Sequence, residues 1–289
     1  MGSIGFVGLG LMGEGFTRRL IEKGHGVTGF DIDPEKTRAA ASWGVMPAVS
    51  AAEVAQSSDI VLICVINTAA VEDATLAPRG IASVNIVGKV IVDHSTTELD
   101  ATKRIVAALA DKGALFVDAP VSGGPGAAKT GTLAIMAGGS DAAIATISAP
   151  MRDLGTMTHM GGAGTGQATK LVNQTLVLTN YCVLAEALRL AQAYGVDAAK
   201  IPQALAPGHA GSNLLNALFP RMIAEDFTPL GFARQVLKDL EMLQGAAREK
   251  HLAMPMASQA LTLYRLLVAA GKSELDASAV VTLYPRDSA

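Results

Sequence analysis

Short apolar runs alternate with amphipathic helical stretches from the N-terminus to the glycine cluster Gly161–Gly164. This alternation is typical of βαβ units, in which a parallel sheet carries helices on its faces. Buried strands are predicted at Ile4–Val7, Val27–Phe30, Ile60–Ile66, Val90–Val92, Leu115–Ala119, Leu133–Ala137 and Met157–Met160. Helical patterns lie between them, as at Phe16–Lys23 and Ala51–Gln56. The N-terminal part of the chain is therefore predicted to be an α/β domain.

Beyond the glycine cluster the pattern is almost wholly helical. Residues Gln167–Tyr194 predict one unusually long helix, about 40 Å at 1.5 Å per residue, which is long enough to bridge two domains. Further helices are predicted at Ala198–Leu205, Leu214–Glu225, Gly231–Lys250 and Met256–Ala270. We therefore predict two domains, residues 1–162 and 163–289, of which the second begins with the long helix.

Composition restricts the class of protein. Half of the residues are hydrophobic and 17% are charged, as in a folded, core-rich chain. The net charge of −3, without a clustered basic stripe, argues against a nucleic-acid partner. Cys64 and Cys182 have neither disulfide nor metal-ligand spacing and the five histidines form no ligand pair, so no metal site is expected. The longest apolar run is too short to span a membrane and no signal peptide is recognisable, so we expect a cytoplasmic protein.

The segment Gly8-Leu9-Gly10-Leu11-Met12-Gly13 directly follows the first predicted strand and opens a helix. A G-x-G-x-x-G in this position makes a tight turn, lets the backbone approach a pyrophosphate and packs the helix against the strand. The phosphate charge is then received by the helix N-terminus. Asp31 lies at the end of the second predicted strand, where a carboxylate accepts hydrogen bonds from a ribose and repels a 2′-phosphate. The cofactor predicted here is NAD rather than NADP.

Two other loops follow predicted strands and lie where ligands bind in an open parallel sheet. Ser95 and Thr96 come after Val90–Val92 and could contact the ribose or nicotinamide; alternatively, they cap the next helix, with Glu98 nearby. Ser122, Gly123 and Gly124 come after Leu115–Ala119. Their hydroxyl and unhindered N–H groups suit a carboxylate ligand, although the segment could also be an ordinary loop.

Lys170 lies in the first turns of the long predicted helix, four residues after Gly166. The field of a helix N-terminus works against a positive charge and lowers the pKa of a lysine, and burial lowers it further. Such a lysine is a candidate general acid and base, the alternative being a solvated surface lysine. Asn173 and Gln174 share its helix face at i+3 and i+4, with apolar Val177 beyond. A substrate is one natural partner for these polar groups; hydrogen bonds between the domains are the alternative.

Three motifs in this order and spacing, at Gly8–Gly13, Asp118–Gly124 and Gly164–Asn173, resemble the β-hydroxyacid dehydrogenase family. The resemblance extends over essentially the whole chain, including the late segment Lys238-Asp239-Leu240. It implies a Rossmann-type N-terminal domain, a long interdomain helix and an all-helical C-terminal domain through which a homodimer or homotetramer forms. It also implies reversible NAD(P)-dependent oxidation of a small 3-hydroxy carboxylic acid to a semialdehyde or ketone.

The resemblance also implies roles for individual residues. Lys170 matches the catalytic lysine. Substrate binding is expected from the carboxylate-holding segment and the polar pair, namely Ser122, Gly123, Gly124, Asn173 and Gln174. Cofactor binding is expected from Gly8, Gly10, Leu11, Met12, Gly13, Asp31, Val65, Thr96 and Lys238.

Two segments depart from the family pattern. Cys64-Val65-Ile66-Asn67 stands where many relatives carry a Leu-Pro pair, so this cofactor-contacting segment differs from the family motif. His209 lies in a glycine–serine loop, Gly208–Asn213, and has no assigned role. Three alternatives stay open: a reductase of another small aldehyde, an imine reductase, and a non-catalytic NAD-binding module. The C-terminal part is too short for the larger substrate domain of 6-phosphogluconate chemistry.

Overall fold

The structure is a computed structural model that describes residues 3–285. The chain divides into two compact units, Met1–Lys170 and Leu171–Ala289. The predicted domain limit between residues 162 and 163 stays a prediction.

The first unit is built on one sheet, which has nine strands in the described part of the chain. The strands are β1 (Ile4–Val7), β2 (Val27–Phe30), β3 (Met46–Pro47), β4 (Ile60–Ile63), β5 (Val90–Asp93), β6 (Leu115–Asp118), β7 (Val121–Ser122), β8 (Leu133–Gly138) and β9 (Gly155–Gly161). Their order is β3-β2-β1-β4-β5-β6-β8-β7, with β9 paired to β8. The order changes direction between β1 and β4, as in a Rossmann-type sheet.

The prediction of a parallel sheet is right for β1 to β6 and wrong for the far edge. Strands β1 to β6 pair in parallel through their neighbours. Strand β8 runs antiparallel to both β6 and β7 and pairs in parallel with β9. Residues 119–132, which separate β6 from β8, include β7, and this strand itself pairs antiparallel with β8.

Helices connect most of the strands. In the first unit they are α1 (Leu11–Glu22), α2 (Pro34–Ala41), α3 (Ala51–Gln56), α4 (Thr68–Leu76), α5 (Leu99–Ala110), α6 (Gly124–Thr130) and α7 (Asp141–Leu154). The long helix α8 (Thr165–Ala193) begins in the first unit and continues into the second. Its 29 residues confirm the predicted long helix.

The core of the first unit lies on both faces of the sheet. Along β4, Ile60 and Leu62 pack into one cluster of buried side chains, whereas Val61 and Ile63 pack into a cluster on the other face. Side chains alternate between the faces of a strand, so a strand covered on both sides must be apolar throughout. This explains why the strands appear in the sequence as continuous apolar runs.

The second unit is helical, as predicted. It contains most of α8 together with α9 (Ile201–Leu205), α10 (Asn213–Ala224), α11 (Ala233–Glu249) and α12 (Pro255–Ala269), and 3₁₀ turns at Ala198–Lys200 and Ala277–Leu283. Leu188 of α8, Phe219 of α10, Leu240 of α11 and Tyr264 of α12 are buried in one core cluster.

One predicted strand ends three residues early. The strand predicted at Ile60–Ile66 ends at Ile63, because the N–H of Val65 no longer bonds to the sheet and donates to Ser95 Oγ at 2.9 Å instead. Helix α1 begins at Leu11, directly after Gly10, and so opens at the glycine motif as predicted; the helical pattern at Phe16–Lys23 covers its later part. No helix among residues 3–285 is long and apolar enough to cross a membrane.

Candidate functional site

The glycine turn between β1 and α1 is shaped by steric requirements at Gly8 and Gly13. Gly8 has φ +98°, and a Cβ there would lie 2.2 Å from the carbonyl oxygen of Cys64. A Cβ on Gly13 would lie 1.9 Å from the carbonyl oxygen of Gly8. Gly10 faces open space and precedes α1 without a side-chain cap. The N–H groups of the first turn of α1, at Leu11, Met12 and Gly13, therefore form a site that can accept an anion.

Asp31 is fixed beside this turn at the carboxyl end of β2. It is buried, and its Oδ2 accepts a hydrogen bond from the backbone N–H of Leu9 at 2.7 Å. Its Oδ1 accepts from the N–H of Asp33 at 2.9 Å and lies 4.0 Å from Lys36 Nζ. The structure thus brings the predicted acidic residue and the predicted glycine turn together.

The loops after β4 and β5 are joined through Ser95. Its hydroxyl accepts from the N–H of Val65, and its own N–H donates to the buried Asp93 at 2.9 Å. Thr96 is half-buried in the same loop. The alternative that Ser95 or Thr96 caps the next helix is wrong, since α5 begins after Glu98 and has no side-chain cap.

Gln167 holds this loop from the start of α8, a role that the sequence analysis missed. Its Oε1 accepts from the N–H of Thr97 at 3.1 Å, and its Nε2 donates to the carbonyl of Ser95 at 2.8 Å. The side chain is 1% exposed, so both contacts are shielded from water. The main chain of Thr96, between the two contacts, is consequently held in place.

The start of α8 is anchored on β6 by Asp118. Its two carboxylate oxygens accept from the N–H groups of Gly164 at 2.6 Å and Gln167 at 2.8 Å. Burial raises the pKa of Asp118 to about 6, against the opposing effect of these hydrogen bonds. Asp118 therefore caps α8 from a distant strand.

Lys170 lies about one turn beyond Gln167, the last residue of this anchor, and is buried, at 8% exposure. Its Nζ donates to the carbonyl of Val121 at 2.7 Å. Val121 directly precedes Ser122, and Gly123 and Gly124 then lead into α6 with φ values of +129° and +70°. Lys170 and the predicted carboxylate-binding segment thus lie next to each other within the first unit.

The remaining predicted residues lie in the second unit, on α8 and α11. Asn173 Nδ2 donates to Gln174 Oε1 at 2.9 Å, and Gln174 Nε2 donates to Asp239 Oδ2. Asp239 Oδ1 lies 3.0 Å from Lys238 Nζ. Asp239 had no role assigned from the sequence, yet it joins the three predicted polar residues into one network.

The Cys64 thiol, which lies close enough to Lys170 for its pKa to be affected, is not a second reactive group. Burial raises the pKa of the Cys64 thiol to about 12, and Asp93 adds to this whereas Lys170 opposes it. The thiol is therefore protonated and unreactive at neutral pH. Among residues 3–285, no group of three or more His, Cys, Asp or Glu side chains could hold a metal ion.

His94 is buried behind the same loop as a neutral side chain. Its Nδ1 bonds to the carbonyl of Ala119 at 2.7 Å and therefore carries the proton. Its Nε2 is buried without a partner among the described residues, and its ring stacks on Phe16. Burial lowers the pKa of His94 to about 4, with the bond to Ala119 opposing.

This burial predicts a loss of stability in acid. Between pH 6.5 and pH 4 the unfolded chain binds a proton at His94 that the folded chain does not, so stability falls as the pH falls. The expected loss from His94 is about 2 kcal/mol at pH 5. His94→Asn keeps a donor near Ala119 and removes the titration. We expect its unfolding free energy, measured by urea denaturation at pH 7 and pH 5, to lack this loss.

Asp118 also makes stability depend on pH, so the wild type and His94→Asn must be compared at each pH. Its raised pKa acts in the opposite direction, because the folded state holds the extra proton and loses that stabilisation as the pH rises through about 6. This contribution is common to both proteins, so the difference between them isolates His94. A difference that does not change with pH would contradict the prediction.

Family models match both parts of the chain. One, described as the NAD binding domain of 6-phosphogluconate dehydrogenase, matches residues 3–162. The other, described as "NAD-binding of NADP-dependent 3-hydroxyisobutyrate dehydrogenase", matches residues 164–284.

Individual proteins are similar over nearly the whole chain. "2-Hydroxy-3-oxopropionate reductase" of Escherichia coli K12 is 35% identical, covering 96% of this chain and 95% of its own. "Probable 3-hydroxyisobutyrate dehydrogenase-like 3, mitochondrial" of Arabidopsis thaliana is 34% identical, covering 98% and 87%. The crystal structure of 3-hydroxyisobutyrate dehydrogenase from Salmonella typhimurium superposes with a TM-score of 0.89 at 28% identity, covering 98% and 99%.

Proposed function

The chain belongs to the β-hydroxyacid dehydrogenase family, and from this premise we propose that it reversibly oxidises a small 3-hydroxy carboxylic acid to the semialdehyde or ketone. Its class, an oxidoreductase with a nicotinamide dinucleotide cofactor, follows from the family. The observation that carries the proposal is the buried Lys170 amine, which lies 2.7 Å from the carbonyl next to Ser122. A surface lysine would give no support.

The glycine turn fits a dinucleotide. The open space at Gly10 and the uncapped first turn of α1 suit a pyrophosphate, and we assign it to Gly8, Gly10, Leu11, Met12 and Gly13. Each oxygen of Asp31 already accepts one hydrogen bond and can accept another from a ribose hydroxyl. We assign Val65 and Thr96 to the nicotinamide side, and Lys238 as a further cofactor contact. When bound, the nicotinamide supplies the hydride acceptor.

We assign the proton transfer to Lys170. As a neutral amine it takes the proton of the substrate hydroxyl, and as an ammonium it returns that proton in the reverse direction. Ser122, Gly123 and Gly124 bind the carboxylate and so fix the carbon that reacts. Asn173 and Gln174 orient the substrate through their amides.

A substrate screen tests the proposal. We expect NADH formation with at least one acid among 3-hydroxyisobutyrate, glycerate, serine and threonate, and a kcat/KM at least about tenfold higher with NAD than with NADP, since Asp31 repels a 2′-phosphate. Absence of turnover with all four acids, together with tight NAD binding, would favour a non-catalytic module. Tenfold better use of NADP would contradict the role of Asp31.

We also propose that the second unit forms a homodimer or homotetramer. Four apolar residues of α8, between 47% and 62% exposed, lie within about 40° of one another around the helix, namely Val172, Leu176, Val183 and Leu190, and Tyr194, 80% exposed, directly follows the helix. An exposed apolar stripe of this length is typical of an interface. Sedimentation velocity should give at least twice the 29.6 kDa mass of the chain, and a 29.6 kDa particle would contradict the assembly.

A cytoplasmic location stays our proposal, supported by the two unpaired cysteines.

A further inference from the structure

Four polar side chains form one line across α8 and α11 in the second unit. The line runs from Asn173 through Gln174 to Asp239 and ends at Lys238. Gln174 is buried, and the Asp239 side chain is 13% exposed. Because water has little access, each donor in this line depends on the neighbouring acceptor.

Asp239 sets the direction of every hydrogen bond in this line. A carboxylate only accepts, so the Gln174 amide must turn its NH₂ group toward Asp239. Its Oε1 then faces Asn173, whose Nδ2 must point back toward Gln174. The carbonyl oxygen of Asn173 is consequently held on the side of the amide away from Gln174. The Lys238 ammonium lies 3.0 Å from Oδ1 as an ion pair and adds no hydrogen bond to the line, because this buried oxygen has no hydrogen-bond partner among the described residues.

We propose that Asp239 is a positioning residue for the hydroxy acid reaction. It acts through Gln174 and fixes the Asn173 amide with its oxygen as the acceptor for a substrate hydroxyl. The inference rests on the proposed function and deepens it, since it states which atom of Asn173 the substrate meets.

Asp239→Asn tests the proposal directly. Asparagine both donates and accepts, so Gln174 can adopt either amide orientation and Asn173 loses its fixed direction. We expect kcat/KM for the hydroxy acid to fall about 30-fold, as for loss of a hydrogen bond to a charged group. KM and Kd for NAD should stay within about twofold, because the substitution changes neither the glycine turn nor the Lys238 side chain that we assign to the cofactor. Glu241→Gln, which removes an exposed carboxylate two residues along α11, is the matched control and should leave turnover unchanged.

A reciprocal exchange separates orientation from general structure. In the double variant Gln174→Glu/Asp239→Asn, the carboxylate moves to position 174, where it accepts both from the amide now at position 239 and from Asn173. The direction of Asn173 is thereby restored with the same net charge, and we expect this double variant to recover most of the lost kcat/KM. Gln174→Glu alone places two carboxylates together and should be impaired. No recovery in a double variant whose thermal midpoint equals that of the wild type would overturn the proposal.

A double-mutant cycle tests whether Asp239 affects turnover through Gln174 and Asn173. Asp239 and Asn173 are linked only through Gln174 in this line, so Asn173→Ala and Asp239→Asn should be strongly non-additive in kcat/KM. Additive effects of the two substitutions would overturn the proposal. Coupling between Asp239→Asn and Lys238→Ala, together with weaker NAD binding, would also overturn it, because Asp239 would then act through the cofactor. If Asn173→Ala leaves turnover unchanged in an active enzyme, this inference fails alone. If the wild type oxidises no hydroxy acid, the proposed function fails and the inference with it.

Discussion

Lys170→Ala should lower kcat by ~10²-fold or more while NAD binding is retained. The amine is buried, and the nearest thiol, Cys64, cannot replace it because burial raises its pKa to about 12. The variant removes the proton acceptor and leaves the glycine turn and Asp31 unchanged. Steady-state kinetics with the best acid from the substrate screen would give kcat, and the fluorescence of bound NADH would give its Kd.

Two further measurements accompany this test: a control variant at an exposed lysine, and rescue of Lys170→Ala by a small amine. Lys200 is exposed and pairs with Asp197, so Lys200→Ala should leave kcat at the wild-type value. Methylamine added to Lys170→Ala should restore part of the activity, because the substitution leaves room for a small base. An unchanged kcat in Lys170→Ala would remove the residue from the proposed mechanism.

The features that could be predicted from the sequence are those that depend on neighbours along the chain. Gly8 and Gly13 are recognisable because the turn from β1 to α1 requires them within six residues, and their crowded Cβ positions explain why. The buried strands are recognisable because both sheet faces are covered, which makes each strand apolar. Asp31 is recognisable from its place at the end of β2.

The features that were missed depend on contacts between distant residues. Gln167 holds the main chain of Ser95 and Thr97, 72 and 70 residues away. Asp239 bonds to Gln174, 65 residues away. Each of these side chains is an ordinary polar residue in its own segment, so no local pattern could single it out.

The two shortest strands, at opposite ends of the strand order, were missed for a different reason. Strands β3 and β7 have two residues each, too few for an alternating pattern to be visible. Strand β7 matters for the site, because its first residue, Val121, accepts the hydrogen bond from Lys170. The sequence could predict the lysine and the serine–glycine segment but not the short strand that joins them.

Gly166→Ala is expected to destabilise the protein by about 4 kcal/mol, at the upper end of the effects of overpacking. A Cβ at position 166 would lie 2.2 Å from the carbonyl oxygen of Asp118 and 2.4 Å from that of Met136. Both are backbone atoms of β6 and β8 and cannot rotate away. The first turn of α8 must therefore move off the sheet, which breaks the bonds from Gly164 and Gln167 to Asp118. Urea unfolding at neutral pH measures the loss.

Gly245→Ala provides the control, because it adds the same methyl group within α11, where nothing lies within 4 Å. There alanine should stabilise the helix by up to about 1 kcal/mol, through its higher helix propensity. Lys170 is four residues beyond Gly166 on the same helix, so the displaced turn should also pull its amine away from Val121 and lower kcat in the molecules that stay folded. If Gly166→Ala matched the stability and kcat of the wild type, α8 could not be packed against β6 and β8 as described. That packing would then no longer explain the position of Lys170.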